Sequence, residues 1–159
     1  MKTLNEISNL VQLYTQGCEQ KHPFHIGDVW QHTLLVYGWC LKNDPRLNKV
    51  ALVHDLGKPN TKKYNLERDC DTFYNHAKES ITMCDKLDIE LTLLERDLVL
   101  EHDNCKAWVN GDKLAMYIDR HGIEFCELLA NLVTADGYGQ SALSKVNDEI
   151  IYKIRNNEF

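Results

Sequence analysis

The sequence predicts an all-α domain of seven or eight helices, and three observations carry that prediction. Apolar residues recur at helical spacing through most of the chain. The prolines at positions 23, 45 and 59 each fall between two such patterns. Alternating strand patterns are absent, and only the stretch from Tyr64 to Phe73 leaves room for one short extended pair.

The elements follow in order. Leu4, Ile7, Leu10, Val11 and Tyr14 form one stripe of a first helix that ends near Gly17. Residues 19–27 read as a loop. Asp28 is suited to cap a helix running to about Leu41, because a carboxylate there accepts from unpaired backbone N–H groups. A helix over roughly 46–56 stops at Gly57 and Pro59. Residues 57–72 read as a long polar loop. Helices are then expected at about 74–87, 90–103, 111–120, 123–138 and 142–156. Asn110 or Asp112 can cap one of them, and Gly122 separates two.

Composition narrows the class. With 159 residues, the chain suits a single domain over 1–159 with a real core. No apolar run reaches the ~18 residues of a membrane span. The start, Met1-Lys2-Thr3-Leu4-Asn5-Glu6, lacks the apolar core of a signal peptide, so a cytoplasmic protein is expected. Six cysteines, at 18, 40, 70, 84, 105 and 126, form no C-x-x-C pair and read as reduced thiols, several among apolar residues. The formal net charge of −6 argues against a long nucleic-acid tracking surface, while leaving room for a small anionic ligand.

The chemistry centres on His54-Asp55-Leu56-Gly57, followed at once by Lys58-Pro59. Upstream stands His32; downstream come His76, His102 and Asp136. Four of the seven histidines thus sit on separate apolar segments. Histidine and carboxylate are ligands for Mn, Fe, Co, Ni or Zn, and an aspartate can bridge two ions. Neighbours on a helix point ~100° apart, so His54 and Asp55 can share an ion only off the helix end. An aspartate at a helix C-terminus opposes the macrodipole, and a cation would offset that. Each residue alone has a plain structural reading: His32 as a core histidine, His76 as an exposed N-terminal residue, Lys58 as a solvated loop lysine. Their order along the chain is what gives them weight.

That order, His32, then His54-Asp55, then Asp136, resembles the HD-domain metal-dependent phosphohydrolases. His76 and His102 resemble the extra histidines of a subgroup that is often dinuclear. The string from Gln20 to Leu34, with Ala51-Leu52-Val53-His54-Asp55-Leu56-Gly57-Lys58-Pro59 and Phe73-Tyr74-Asn75-His76, resembles the HD domains of bacterial CCA-adding tRNA nucleotidyltransferases. The resemblance covers residues 20–140 or so and departs in two respects. The chain is only HD-domain sized, so nucleotide transfer is not implied. Lys58 stands where the H-D-x-x-E arrangement of the HD 5′-nucleotidases would put a glutamate.

The resemblance implies an HD-domain helical bundle with one or two divalent transition ions. His32, His54, Asp55 and Asp136 would hold the first ion; Asp55, His76 and His102 the second, with Asp55 bridging. Lys58 would face the phosphate, His25 would assist as a substrate contact or proton donor, and Thr61, Lys62 and Lys63 are further phosphate candidates. Trp30, Tyr64 and Tyr138 are aromatic candidates for stacking on a base. The implied activity is hydrolysis of a phosphoester on a nucleotide or RNA end, with 2′,3′-cyclic phosphates and 2′-phosphates foremost. A nucleotidase or dNTP triphosphohydrolase is the nearest alternative. A non-catalytic nucleotide- or partner-binding module is the alternative from another class.

Overall fold

A computed structural model of the chain describes residues 1–22, 25, 27–104 and 111–138. The expected helix at 142–156, Cys105 and the candidate cap Asn110 lie outside the described residues. Within them the fold is an all-α bundle with one small hairpin. Its elements are α1 (Leu4–Thr15), α2 (Val29–Asn43), a 3-10 turn (Pro45–Leu47), α3 (Asn48–Val53), α4 (Lys58–Thr61), β1 (Lys63–Asn65), β2 (Cys70–Thr72), α5 (His76–Lys86), α6 (Leu93–Glu101), α7 (Gly111–His121) and α8 (Ile123–Tyr138).

Local chemistry starts the long helices. Thr3 with Glu6, Asp28 with Gln31 and Thr92 with Glu95 form capping boxes, each satisfying two backbone donors. Gly122 divides α7 from α8 at φ +85°, a backbone conformation suited to glycine. The expected pair within 64–73 is a real antiparallel hairpin, with Lys63 opposite Thr72 and Asn65 opposite Cys70. The segment read as a long loop therefore holds a one-turn helix and a hairpin.

The helix expected over 46–56 is shorter. It divides into the 3-10 turn and α3, which ends at Val53. Beyond it the backbone tightens to three-residue hydrogen bonds, Leu56 N–H to the Val53 carbonyl and Lys58 N–H to the Asp55 carbonyl. The His-Asp pair lies in this tightened turn.

Packing is organised around α2 and α3. α2 lies against α8 and α3, α1 covers α3, and α6 packs on α8, α3 and α5. Val50, Ala51, Leu52 and Val53 are all fully buried, so α3 is apolar on every side and forms the centre of the bundle. Leu129 and Leu132 of α8 and Val36 and Cys40 of α2 join the same core. The described cysteines are free thiols; Cys40, Cys84 and Cys126 fill core positions as small hydrophobes. No described helix is long and apolar enough to cross a membrane.

Polar ties set the register of the pieces that carry the site. Arg46 grips Asp44 through two 2.8 Å hydrogen bonds, and Asn131 of α8 donates to the same carboxylate at 2.9 Å. The end of α2 is thereby fixed to α8. The hairpin is pinned to the segment before α2: Lys21 N–H donates to the Asp71 carboxylate, and Asp71 N–H donates to the Lys21 carbonyl, both at 2.7 Å.

Replacing Leu129 with alanine removes a fully buried α8 side chain from the core. The expected loss is about 2–5 kcal/mol, the range for truncating a buried leucine. Denaturant unfolding followed by circular dichroism measures it.

Candidate metal centre

Six predicted ligands come from five places in the fold. His32 projects from the first turns of α2; His54 caps α3 and Asp55 follows it in the turn. His76 opens α5, His102 caps α6, and Asp136 lies near the end of α8. All six meet. One group is His32, His54, Asp55 and Asp136; the other is Asp55, His76 and His102; in each, the ligand atoms lie within 4.8 Å of one another.

Asp55 is shared by both groups and is only 1% exposed. Its Oδ2 lies 3.4 Å from His32 Nε2 and 3.3 Å from His54 Nε2. Its Oδ1 lies 3.1 Å from His76 Nε2 and 3.7 Å from His102 Nε2. Asp136 closes the first group, 2.9 Å from His32 and 3.6 Å from His54. Neither Asp55 oxygen accepts an aligned hydrogen bond. A buried carboxylate in that condition is costly unless cations surround it.

The histidines are aimed by one repeated device. The Nδ1–H of His54 donates to the Ala51 carbonyl at 2.8 Å, that of His76 to Phe73 at 2.9 Å and that of His102 to Val99 at 2.6 Å. A carbonyl only accepts, so Nδ1 carries a proton in all three rings, and Nε2 is the inward atom left to hold a proton or a metal ion. Nε2 of His54 and His32 are 3.4 Å apart, and Nε2 of His76 and His102 are 3.2 Å apart. Lone pairs held this close need a proton or a metal ion between them. The residues therefore fit metal binding on their own chemistry: imidazole nitrogens oriented through backbone carbonyls, with an unsatisfied carboxylate between two groups.

Electrostatics agree with the geometry. Burial opposes charge on His54, but Asp55 and Asp136 outweigh it and hold its pKa up to about 10. The His76 pKa is also raised; burial again opposes, and the Asp55 carboxylate 3.1 Å away prevails. Burial would raise the pKa values of Asp55 and Asp136, yet the surrounding histidines, with Lys58 at Asp55, hold both carboxyls well below the usual range. The pocket thus keeps its carboxylates ionised, the state in which they could ligate a dication.

Gly57 and Ser80 join the two halves. The Ser80 hydroxyl donates to the His54 carbonyl and accepts from Gly57 N–H, both at 2.8 Å. A Cβ on Gly57 would fall 2.4 Å from the His76 carbonyl oxygen and from Ser80 N. Only glycine lets the His-Asp turn approach α5 closely enough for His76 to reach Asp55.

Above the ligands opens a cleft of about 360 Å³, lined at its floor by Asp55, His76, His102, Asp136 and Lys58. Lys58 is 4% exposed, so it is no solvated loop lysine; its Nζ lies 2.7 Å from Asp55 Oδ2 and donates to Gln20 Oε1 at 3.0 Å. His25 also lines the cleft, beside the rings of His22 at 5.1 Å and His32 at 5.6 Å. Burial, with Lys58 nearby, pushes its pKa down to about 3. It is a neutral imidazole here, suited to a hydrogen bond rather than to acid catalysis.

Other candidates are placed elsewhere. Thr61 does not line the cleft; its hydroxyl donates to the Gly57 carbonyl at 3.1 Å, within its own helical turn. Lys62 pairs with Asp71 at 3.1 Å, and Lys63 is an exposed residue of β1. Trp30 is buried in the core. Tyr64 meets Lys21 and Asp69 outside the cleft, and Tyr138 lines a separate groove with Leu34, Leu35 and Trp39. The cleft wall instead uses Arg68, Phe73 and Tyr74, which sequence reasoning assigned no role. Their one available signal was position, on and just after the hairpin that precedes His76.

Searches against protein-family models, curated proteins and solved structures find no match for this chain. The site itself is a set of buried His and Asp groups suited to hold a metal ion, at the floor of an open cleft.

Gly57→Ala should disturb both halves of the centre at once. Overpacking against α5 backbone is expected to cost roughly 1–3 kcal/mol of stability. Metal affinity should fall with it. Thermal melts and metal titration of the same preparation measure the two effects, and Gly38→Ala, whose Cβ would meet nothing within 4 Å, is the control.

Proposed function

We propose that this protein is a metal-dependent phosphohydrolase acting on a phosphoester of a nucleotide or RNA end. The observation that carries the reading is the convergence of six ligands around Asp55, with Lys58 beside them at the floor of an open cleft. His32, His54, Asp55 and Asp136 would hold one ion, and Asp55, His76 and His102 a second. Mn, Fe, Co, Ni and Zn all suit this donor set. When bound, such ions acidify a coordinated water and neutralise charge on a phosphoryl oxygen.

The protein's own residues supply orientation and charge. Three histidines present Nε2 through backbone-held Nδ1–H groups, so the rings are already aimed and a metal need only displace any proton on Nε2. Lys58 brings a compact cation to the floor, held by Gln20 and stacked 5.3 Å from the Phe73 ring centre. Burial of this floor strengthens every charge interaction on it. His25, neutral and at the cleft wall, offers a hydrogen bond to substrate.

The wall favours a small substrate. Arg68 has no ion pair among the described residues, and Tyr74 is 66% exposed beside it on the lining. A free guanidinium suits a second anionic group, and an exposed ring suits a base. This supports 2′,3′-cyclic phosphate or 2′-phosphate ends as substrates within the broader class. A purely binding module would not need all six ligands and an oriented lysine.

A panel of 2′,3′-cyclic nucleotides, nucleoside monophosphates and dNTPs, with products identified as phosphate, pyrophosphate or triphosphate, tests the reading. Asp55→Ala should cost more than ~10²-fold in rate because metal occupancy depends on it. Lys58→Ala should lower the rate by roughly 30- to 10³-fold with metal content unchanged. An absence of hydrolysis across the panel by metal-loaded protein would overturn the proposal.

A further inference from the structure

The two halves of the centre are unequal in charge. The first has two carboxylates, Asp55 and Asp136; the second has only its share of Asp55. Lys58 Nζ, 2.7 Å from Asp55 Oδ2, already offsets part of that single charge. Yet a further carboxylate stands at the second half. Asp103 Oδ2 lies 3.3 Å from His76 Nε2, and its Oδ1 lies 3.7 Å from His102 Nε2.

In both rings Nδ1–H is committed to a backbone carbonyl, so Nε2 is the atom that faces Asp103 and Asp55. A carboxylate and two imidazole nitrogens converging at these distances form a donor set for a transition ion, with the ion taking the place of any proton held between them. Asp103 also lines the cleft, on the side where His76 and His102 are open to it. Its position follows from the chain: it is the residue after His102, and the turn that ends α6 sends both side chains to the same place.

We propose that Asp103 is a further ligand of the second metal ion, making that half a two-histidine, two-carboxylate site for a divalent transition ion. This rests on the metal-binding reading of the centre and extends it. The chemistry is consistent with a replaceable ion: Asp103 is largely exposed, whereas every ligand of the first half is buried or nearly so. The second ion would then be the one that exchanges with solvent and depends on cleft conditions.

The test is metal binding by the full-length, untagged protein, measured by Mn²⁺ and Zn²⁺ titration calorimetry with elemental analysis. Asp103→Asn preserves shape and removes the charge; His76→Ala marks loss of the second ion. The expected result is two ions on the wild type. In Asp103→Asn the affinity for one of them should fall by about 10- to 100-fold. Asp103→Glu should restore part of it, and the melting profile of the metal-free forms should be alike. Two ions bound to Asp103→Asn with unchanged affinity would overturn the proposal. A single ion on the wild type would also overturn it, while leaving a mononuclear hydrolase standing. A shifted pH–rate profile with unchanged metal affinity would overturn it too, by assigning Asp103 to proton transfer. No ion on the wild type would refute the metal centre as a whole.

Discussion

The structure depends on one buried carboxylate. Asp55 is 1% exposed, accepts no aligned hydrogen bond, and is ringed by four imidazole nitrogens and an ammonium group. A charge so placed would be expelled from an apolar interior, or neutralised, without those partners. The same desolvation that makes it costly alone makes its interactions strong. Each neighbouring element contributes a group that offsets it: α2 through His32, α3 through His54, α4 through Lys58, α5 through His76 and α6 through His102.

Meeting at one point demands rigid delivery. α3 is buried on all sides, so the turn that follows it has little freedom to move. Each of three histidines donates Nδ1–H to the carbonyl three residues earlier, fixing ring and tautomer together. At the ends of α3 and α6 this also satisfies carbonyls that the helix leaves unpaired. Ser80 then ties the His-Asp turn to α5, and glycine at 57 permits the close approach. Orientation of the ligands is therefore built from backbone hydrogen bonds, which need no further partner side chains.

The cleft is assembled separately from the ligands. Its wall is the hairpin, held to the segment before α2 by Asp71 with Lys21 and by Lys62, which donates to the Glu19 carbonyl. This arrangement lets the ligand floor remain buried while Arg68 and Tyr74 meet solvent. Under the proposed function, floor and wall would divide two tasks: charge at the reacting group and recognition of what is attached to it. Asp103 lines the same cleft, in the turn that follows α6.

Much of this was legible in the chain itself. Helical periodicity and capping residues such as Asp28 determined the main helices, because those signals act within a few residues of sequence. The meeting of the His and Asp candidates was anticipated from their order along the chain, although each of them alone has a plain structural reading. The tightened turn after Val53 was not, because the pull of Asp55's partners reaches across the bundle. Nor was the buried state of Lys58, the retreat of Thr61 into its own helix, or the use of Arg68 and Tyr74 in place of Trp30, Tyr64 and Tyr138. Sequence by itself determined which groups could do the chemistry. Tertiary structure decided which of them face one another, because direction and distance between residues as far apart as His32 and Asp136 are set only when α2 packs on α8.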